Sequence, residues 1–439
     1  MLLVSICIPS YNRLEKVKKN ITSILQARSQ DFEVVVVDNA SDDNVYDVLS
    51  FDDSRLRIIR REKNIGGINC LKCLSEAQGK YILYCLDKDF IDGNFLDDFL
   101  EVVRNNLQLV GGWCSRDKAQ YSGNAKIYAV GEKIDFFYTT RHPSGGVFLN
   151  RLIQEEIKLS TDEIKQFPFS LDLFRARCAS EGPMLDYDRP LFRFETREEA
   201  AATISHTHFD TKEEDKYFHP RSLLKALRIM WKYIARLGIS KQLCYRIERQ
   251  MIESYYNLTV LGFQITMHDE MICHHYGVKT RCVSFGEQWL DVVCLSKQVI
   301  SLSGFRYISL LLKYNYRFLK RSFCIHSKKR ELRIKEFLER YHTIYLYGAG
   351  IGARFVASYF MDRNWPFAGF VVTRDVNNDE MLFGKPIWSL QTKSFDHLRD
   401  GIVVTVGKDL QPEILTNLKK RGYMDNVYVQ EFFETSIYE

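Results

Sequence analysis

The opening part of the chain alternates between two hydrophobic periods, and that alternation restricts the fold more than any other feature. Leu2–Ile8 is a short apolar run closed by Pro9, and Leu14–Ala27 has apolar residues at helical spacing. Glu33–Val37 is a β-branched run that stops at Asp38, Asn39 and Ser41. Leu56–Arg60 reads as a strand, Asn69–Ala77 as a helix broken by Gly79, and Tyr81–Leu86 as a strand ending in Asp87. A β-α-β-α-β order predicts a mainly parallel sheet with helices on both faces. Ligands of such sheets bind beyond the carboxyl ends of the strands. The residues that follow each strand therefore carry the functional reading.

From about Thr211 to Tyr341 the pattern turns helical, as in Leu223–Leu237 and Gln242–Leu261. The end of this stretch is basic and aromatic, with Arg306, Lys313, Arg317, Lys320, Arg321, Lys328, Lys329, Arg330 and Arg333 set among leucines and phenylalanines. A third pattern opens at Thr343. Ile344–Tyr347, Phe367–Val372, Ile402–Val406 and Asn426–Val429 read as strands, with helices at Ala353–Phe360 and Leu410–Lys420. The expected organisation is α/β at 1–210, mainly helical at 211–341 and a small doubly wound α/β domain at 342–439.

The 439 residues suffice for two or three cores, and 46% hydrophobic with 27% charged content is ordinary for a globular chain. A net charge of +5 at this length does not point to nucleic acid. No signal-peptide pattern and no uninterrupted apolar run of about 18 residues occurs, so a cytoplasmic location is expected. The 11 cysteines are scattered and read as reduced core thiols; Cys70 and Cys73 lack a second pair with zinc spacing.

Three strand-end features converge on one chemistry. Asp38 can accept hydrogen bonds from a base or ribose, although Asp-Asn-Ala-Ser-Asp-Asp is equally good turn chemistry. Asp87-Lys88-Asp89 places two carboxylates around one residue, a set that can hold Mg²⁺ together with substrate phosphates. Asn64-Ile-Gly-Gly-Ile-Asn69 enters a helix: its glycines let backbone approach a ligand, and the helix amino end favours anions. The plain alternative is a glycine loop with an Asn cap.

In order, Pro-Ser-Tyr-Asn-Arg, Val-Val-Val-Val-Asp-Asn-Ala-Ser-Asp-Asp, Asn-Ile-Gly-Gly, Gly-Lys-Tyr and Leu-Asp-Lys-Asp closely resemble the nucleotide-sugar half of family 2 glycosyltransferases, which have the GT-A fold. The resemblance covers roughly residues 1–210 and implies an inverting enzyme that binds a nucleotide-sugar, mostly a UDP-sugar, with Mn²⁺ or Mg²⁺ on a DXD motif. It implies that Pro9 and Tyr11 border the base, Asp38 binds its edge, and Asn64, Gly66 and Gly67 line the nucleotide. It further implies that Asp87 contacts ribose or metal and Asp89 ligates the metal. Lys88 departs from the commoner acidic middle residue and lowers the local negative charge.

Arg141-His-Pro-Ser-Gly-Gly-Val-Phe resembles the family's loop near sugar and acceptor, which implicates Ser144, Gly145 and Gly146. An inverting transfer needs a base opposite the leaving group. Alignment of Phe167–Arg175 and Gly182–Arg193 with the family makes Asp172 that base, with Glu181 and Asp186 as fallbacks. His206 and His208 follow the core; some GT-A enzymes supply a late histidine to the metal, which makes His208 a further ligand candidate beside the surface-residue reading.

Gly348-Ala-Gly350-Ile-Gly352 after a strand fits a dinucleotide-type turn. The unit resembles small Rossmann-like modules attached to sugar-modifying enzymes, which implies a stabilising or regulatory role with a second ligand site left open. The expected function is sugar transfer to a hydroxyl of a glycan or lipid-linked acceptor in bacterial surface polysaccharide or capsule synthesis. An NAD(P)-dependent oxidoreductase and a non-catalytic nucleotide-sugar binder are the alternatives. Peripheral contact of the basic helices with the inner face of an anionic membrane is weighed against a solvated helix face, which is preferred. Self-association into a homo-oligomer is compatible with all three.

Overall fold

The computed structural model describes residues 2–42, 52–114, 121–132, 142–160, 169–195, 199, 212–325, 328–373, 381–407, 410–423 and 425–429. Two compact units emerge, one of residues 1–195 with 225–251 and one of residues 196–224 with 252–439.

The first unit is built on an eight-stranded sheet ordered β3-β2-β1-β4-β8-β6-β9-β7. Its strands are β1 (Val4–Ser10), β2 (Phe32–Asp38), β3 (Leu56–Arg60), β4 (Tyr81–Tyr84), β6 (Gly111–Cys114), β7 (Ala125–Tyr128), β8 (Gly146–Leu149) and β9 (Met184–Tyr187). β5 (Phe90–Ile91) and β10 (Phe192–Arg193) form a separate antiparallel pair. β1, β2, β3 and β4 run parallel, and every residue of β1 and β2 is buried. Strands covered on both faces need continuous apolar runs, which is why both read as unbroken rather than alternating. The helices Leu14–Ile24 and Gly93–Arg104 cover one another's flanks, and the helix Ile68–Leu74 lies against β1 and β2.

The crossover from β1 to β2 is tied by one side chain. Arg55 donates to the carbonyls of Leu25 (2.8 Å), Ala27 (2.7 Å) and Ser29 (2.9 Å) and pairs with Asp53 at 2.7 Å. Leu25 caps the helix Leu14–Ile24, and Ala27 and Ser29 lie in the loop after it, so Arg55 supplies donors to carbonyls outside the helical ladder.

The second unit contains long helices, among them Phe285–Ser303, Ile308–Ile325 and Lys328–Arg340, and a six-stranded sheet ordered β13-β14-β12-β11-β15-β16. Its strands are β11 (Thr343–Tyr347), β12 (Gly369–Val372), β13 (Met381–Leu382), β14 (Lys385–Ser389), β15 (Asp400–Val404) and β16 (Val427–Val429). All pair in parallel except β13 with β14. One face packs Leu346 and Phe370 against Phe355, Val356 and Phe360 of the helix Ile351–Asp362, together with Ile334 and Phe337. The other packs Tyr345, Tyr347 and Val404 against Ile414 and Leu418 of the helix Gln411–Lys420. No helix among the described residues is long and apolar enough to cross a membrane.

Candidate active site

Strand direction brings the sequence-predicted residues to one edge of the first sheet. β1 to β4 point the same way, so Tyr11, Asp38 and Asp87 all follow strand ends on that edge. β8 is antiparallel to β4, which places the start of β8, and so Ser144 and Gly145, at the same edge. The Gly145 N–H donates to the Tyr84 carbonyl at 2.9 Å, with Gly145 at φ +91°, a region that favours glycine. β6 runs antiparallel to β8 and β9 parallel to β6, so Trp113 near the end of β6 also lies there.

The helix Ser170–Glu181 leads into β9 through Gly182 and Pro183 and starts at this edge. At its far end, a Cβ on Gly182 would meet Val110, just before β6, at 2.9 Å. At its near end Asp172 is in the first turn, buried, and paired with Arg175 at 2.8 Å. The Arg175 guanidinium lies 5.4 Å from the Trp113 ring centre, within cation–π range. Of the two fallbacks, Glu181 is carried to the opposite end of the same helix and pairs with Arg177 at 2.9 Å. Asp186 sits within β9, in register with Trp113.

The acidic pair is held by named donors. Asp87 accepts from the Tyr11 N–H at 3.1 Å and from Arg13 at 2.8 Å. Asp89 accepts from the Glu195 N–H at 3.0 Å and from the Ser144 hydroxyl, which in turn accepts from the Leu86 N–H at 2.8 Å. Ser144 is fully buried and positions Asp89. Burial pushes both carboxyls up from the ordinary aspartate range; Arg13 and the Tyr11 N–H oppose this at Asp87, Ser144 and the Glu195 N–H at Asp89. Lys88 does not project alone: it pairs with Glu195 at 3.3 Å, as does Lys16 at 2.6 Å. Burial alone would raise the Glu195 carboxyl, but Lys16, Lys88 and Arg13 hold it below the usual range. Arg13, Lys16, Lys88 and Glu195 thus form a charged frame around the acidic pair that sequence reading missed or left unpartnered.

His142 also faces this corner. Its ring stacks on Phe194 with centroids 4.4 Å apart, and its Nδ1 lies 3.5 Å from Asp89 Oδ2. Adjacent ligands in an octahedral shell with bonds of about 2.1 Å are roughly 3 Å apart. Asp89 and His142 therefore fit neighbouring positions around a divalent cation. His206 and His208 lie outside the described residues.

Asp38 is fully buried, and its oxygens accept from the Ser41 N–H (3.3 and 3.2 Å) and the Ser41 hydroxyl, with Arg60 at 3.7 Å. The turn role is therefore present, and the carboxylate's roughly four lone-pair sites leave capacity for a further donor. Its neighbour Asn39 shapes the glycine loop, donating to Asn64 Oδ1 (2.8 Å) and the Gly66 carbonyl (3.3 Å) and accepting from the Ile65 N–H (2.9 Å). Asn64 accepts from the Gly66 N–H at 2.8 Å, and Gly67, not Asn64, precedes the helix Ile68–Leu74. Gly66 has φ +62°, and a Cβ on Gly66 or Gly67 would meet nothing within 4 Å. Pro9 lies in β1 opposite Val37.

Residues 5–157 match the family model described as glycosyl transferase family 2. The chain carries a family 2 glycosyltransferase domain. Among similar proteins is the Escherichia coli UDP-Glc:alpha-D-GlcNAc-diphosphoundecaprenol beta-1,3-glucosyltransferase WfgD, 29% identical over 147 residues, which are 29% of this chain and 57% of that one. A Bacillus subtilis glycosyltransferase named for teichuronic acid biosynthesis, TuaG, is 33% identical over 91 residues, 20% of this chain and 36% of its own. The chain thus spans about half or less of the length of these relatives. The structure of Staphylococcus aureus TarS 1–349 in complex with UDP-GlcNAc shares the fold at a TM-score of 0.51 and 14% identity, covering 73% of this chain and 89% of that one. The GT-A arrangement of the glycosyltransferase domain agrees with that likeness.

In the second unit, Gly348 (φ +123°) and Gly352 pack against Thr405: a Cβ on Gly352 would meet the Thr405 carbonyl oxygen at 2.5 Å. A Cβ on Gly350 would meet nothing within 4 Å. Two of the three glycines are therefore required by contact between the turn and the end of β15.

Proposed function

We propose that the chain is an inverting glycosyltransferase that moves a sugar from a UDP-sugar to a hydroxyl of a glycan or lipid-linked acceptor in surface polysaccharide synthesis. The carrying observation is that one sheet edge gathers Asp38, the Gly66–Gly67 loop, Asp87, Asp89 and the buried Asp172. The UDP donor is supported by the names of two similar proteins, WfgD with its UDP-Glc and TarS with its UDP-GlcNAc.

In this reading Pro9, Tyr11 and Asp38 border the base, and Asn64, Gly66 and Gly67 line the nucleotide. Asp172 takes the proton of the acceptor hydroxyl as that oxygen bonds to the anomeric carbon. The bond from that carbon to the diphosphate breaks on the opposite face, and the diphosphate leaves with the electron pair. Arg175 holds the Asp172 carboxylate in place. Asp87 and Asp89, with His142 beside Asp89, would hold Mn²⁺ or Mg²⁺, which when bound neutralises charge on the diphosphate. Arg13, Lys16 and Lys88 add positive charge nearby. Ser144 and Gly145 set the loop at the sugar side, and Gly146 begins β8.

The unit at Gly348–Gly352 is read as a non-catalytic, Rossmann-like module rather than a dehydrogenase because no Tyr-x-x-x-Lys follows the turn; Gly350, open beside the packed Gly348 and Gly352, leaves room for a ligand there. Contact with the inner face of a membrane is supported by the helix Ile308–Ile325 and the turn before it. Phe305, Ile308, Leu312 and Tyr316 recur at helical spacing and are exposed, with Lys313, Arg317 and Lys320 among them.

The test is release of nucleoside diphosphate from a panel of UDP-, GDP-, CMP- and dTDP-sugars with Mn²⁺ or Mg²⁺. Slow release from UDP-sugars that chelation abolishes is the expected result. Inertness toward every nucleotide-sugar, with hydride transfer from NAD(P)H instead, would overturn it.

A further inference from the structure

The second unit holds a cluster of metal-ligating side chains that sugar transfer leaves unused. His268 ends the helix Phe263–His268, Asp362 ends the helix Ile351–Asp362, and Cys282 lies on the segment before the helix Phe285–Ser303. One ligand atom from each lies within 4.8 Å of the others. His268 Nε2 is 2.5 Å and Cys282 Sγ 2.6 Å from the same oxygen, Asp362 Oδ1. They come from positions 94 and 80 residues away in the chain, so local turn chemistry does not account for their meeting.

The frame around them is fixed. His268 Nδ1 lies 2.8 Å from the Gln264 carbonyl one helical turn back, so that nitrogen carries the proton and Nε2 is the ligating atom. Cys282 is exposed, but both its neighbours are anchored. The Arg281 N–H donates to the Met267 carbonyl at 3.0 Å, beside His268, and Val283 is buried with Phe263 and Met267. The nearby cations are engaged elsewhere. Arg281 pairs with Glu213 at 2.9 Å and Glu287 at 2.7 Å. Arg363 lies 3.7 Å from the Tyr359 ring centre and 3.3 Å from Glu331.

We propose that His268, Cys282 and Asp362 form a zinc site. An imidazole, a thiolate and a carboxylate suit zinc, whereas Mn²⁺ and Mg²⁺ prefer oxygen donors. Thiolate and carboxylate together match the charge of the ion. With metal–ligand bonds of about 2.0–2.3 Å, tetrahedral ligand atoms stand roughly 3.3–3.7 Å apart, so the trio opens by about 1 Å to take the ion. Three protein ligands leave a fourth position for water on the exposed side of Cys282. The ion joins the helix Phe263–His268 to the end of the helix whose Phe355, Val356 and Phe360 fill the core of the second sheet.

Full-length protein from zinc-supplemented cells, dialysed against metal-free buffer, is expected to retain one zinc per chain by atomic emission. Cobalt substitution is expected to give a thiolate-to-metal charge-transfer band in the near ultraviolet, a signature that metal held by carboxylates and His142 in the transferase domain does not produce. Cys282→Ser, at an exposed position, should keep its far-ultraviolet circular dichroism, lose the band and bind zinc at least about tenfold more weakly. His268→Gln and Asp362→Asn should weaken zinc in the same way. A band that survives Cys282→Ser overturns the site, as does wild-type protein that retains no zinc. Should the variants misfold, competition between wild-type protein and a chromophoric zinc chelator decides: failure to compete overturns the proposal.

Discussion

Arg175 lies 2.8 Å from Asp172, one turn along the same helix, and both side chains are buried. A carboxylate held in one orientation by a neighbouring guanidinium is what proton abstraction in an inverting transfer needs. Asp172→Asn preserves shape and removes the base. Turnover is expected to fall by about 10²–10⁴, while UDP affinity by calorimetry changes little. Near-normal turnover would take Asp172 out of the role. Arg175→Met is a different experiment: it strands a buried carboxylate and should cost about 3–5 kcal/mol of stability.

The glycine loop separates ligand approach from packing. Because a Cβ on Gly67 meets open space and its φ is −60°, Gly67→Val is expected to leave the melting temperature nearly unchanged. If the nucleotide lies over the loop, UDP binding weakens at least about tenfold, about 1.4 kcal/mol. Unchanged UDP binding would move the nucleotide elsewhere. In the second unit the contrast is reversed. Gly352→Ala drives a methyl into the Thr405 carbonyl and should destabilise by about 1–3 kcal/mol, whereas Gly350→Ala should be close to neutral in thermal unfolding.

Acid stability should carry the signature of the crossover clamp. The Arg55 guanidinium holds the Asp53 carboxyl below its ordinary value, through their hydrogen bond first. A carboxyl with a lower folded than unfolded pKa binds fewer protons in the folded state. Its contribution is present above the unfolded value, about 3.9, and is lost as pH falls through the lower folded value. Asp53→Asn should therefore flatten the loss of stability as pH falls from about 5 to about 2 in denaturant titrations. An unaltered slope would remove the pair from the acid response.

The parallel half of the first sheet was legible because buried strands announce themselves as unbroken apolar runs. Leu56–Arg60 matches β3, and β1, β2 and β4 lie within two residues of their expected limits. β6 escaped because Gly111 and Gly112 offer no side-chain alternation, and β14 because Pro386 interrupts it. The candidate site could be proposed where a motif is contiguous, as at Asp87–Asp89. It was opaque where a partner comes from far along the chain: Arg13 meets Asp87 from 74 residues away, and Lys16 meets Glu195 from 179. The trio at His268, Cys282 and Asp362 had no spacing to betray it for the same reason.

Membrane contact makes the last prediction. Leu311 and Phe318 of the helix Ile308–Ile325 are buried, but Leu312 is 60% exposed and Phe305, just ahead of it, 75%. Apolar side chains open to water beside Lys313, Arg317 and Lys320 can enter a lipid interface while the cations meet anionic headgroups, an attraction of about 1 kcal/mol per cation. The full-length chain should float with anionic vesicles at low salt and not with neutral ones. Phe305→Glu with Leu312→Glu should abolish flotation while leaving sugar release from UDP-sugars in solution intact. Flotation that persists in the double variant would place the contact elsewhere, and a wild-type chain that never floats would leave the helix as a solvated face.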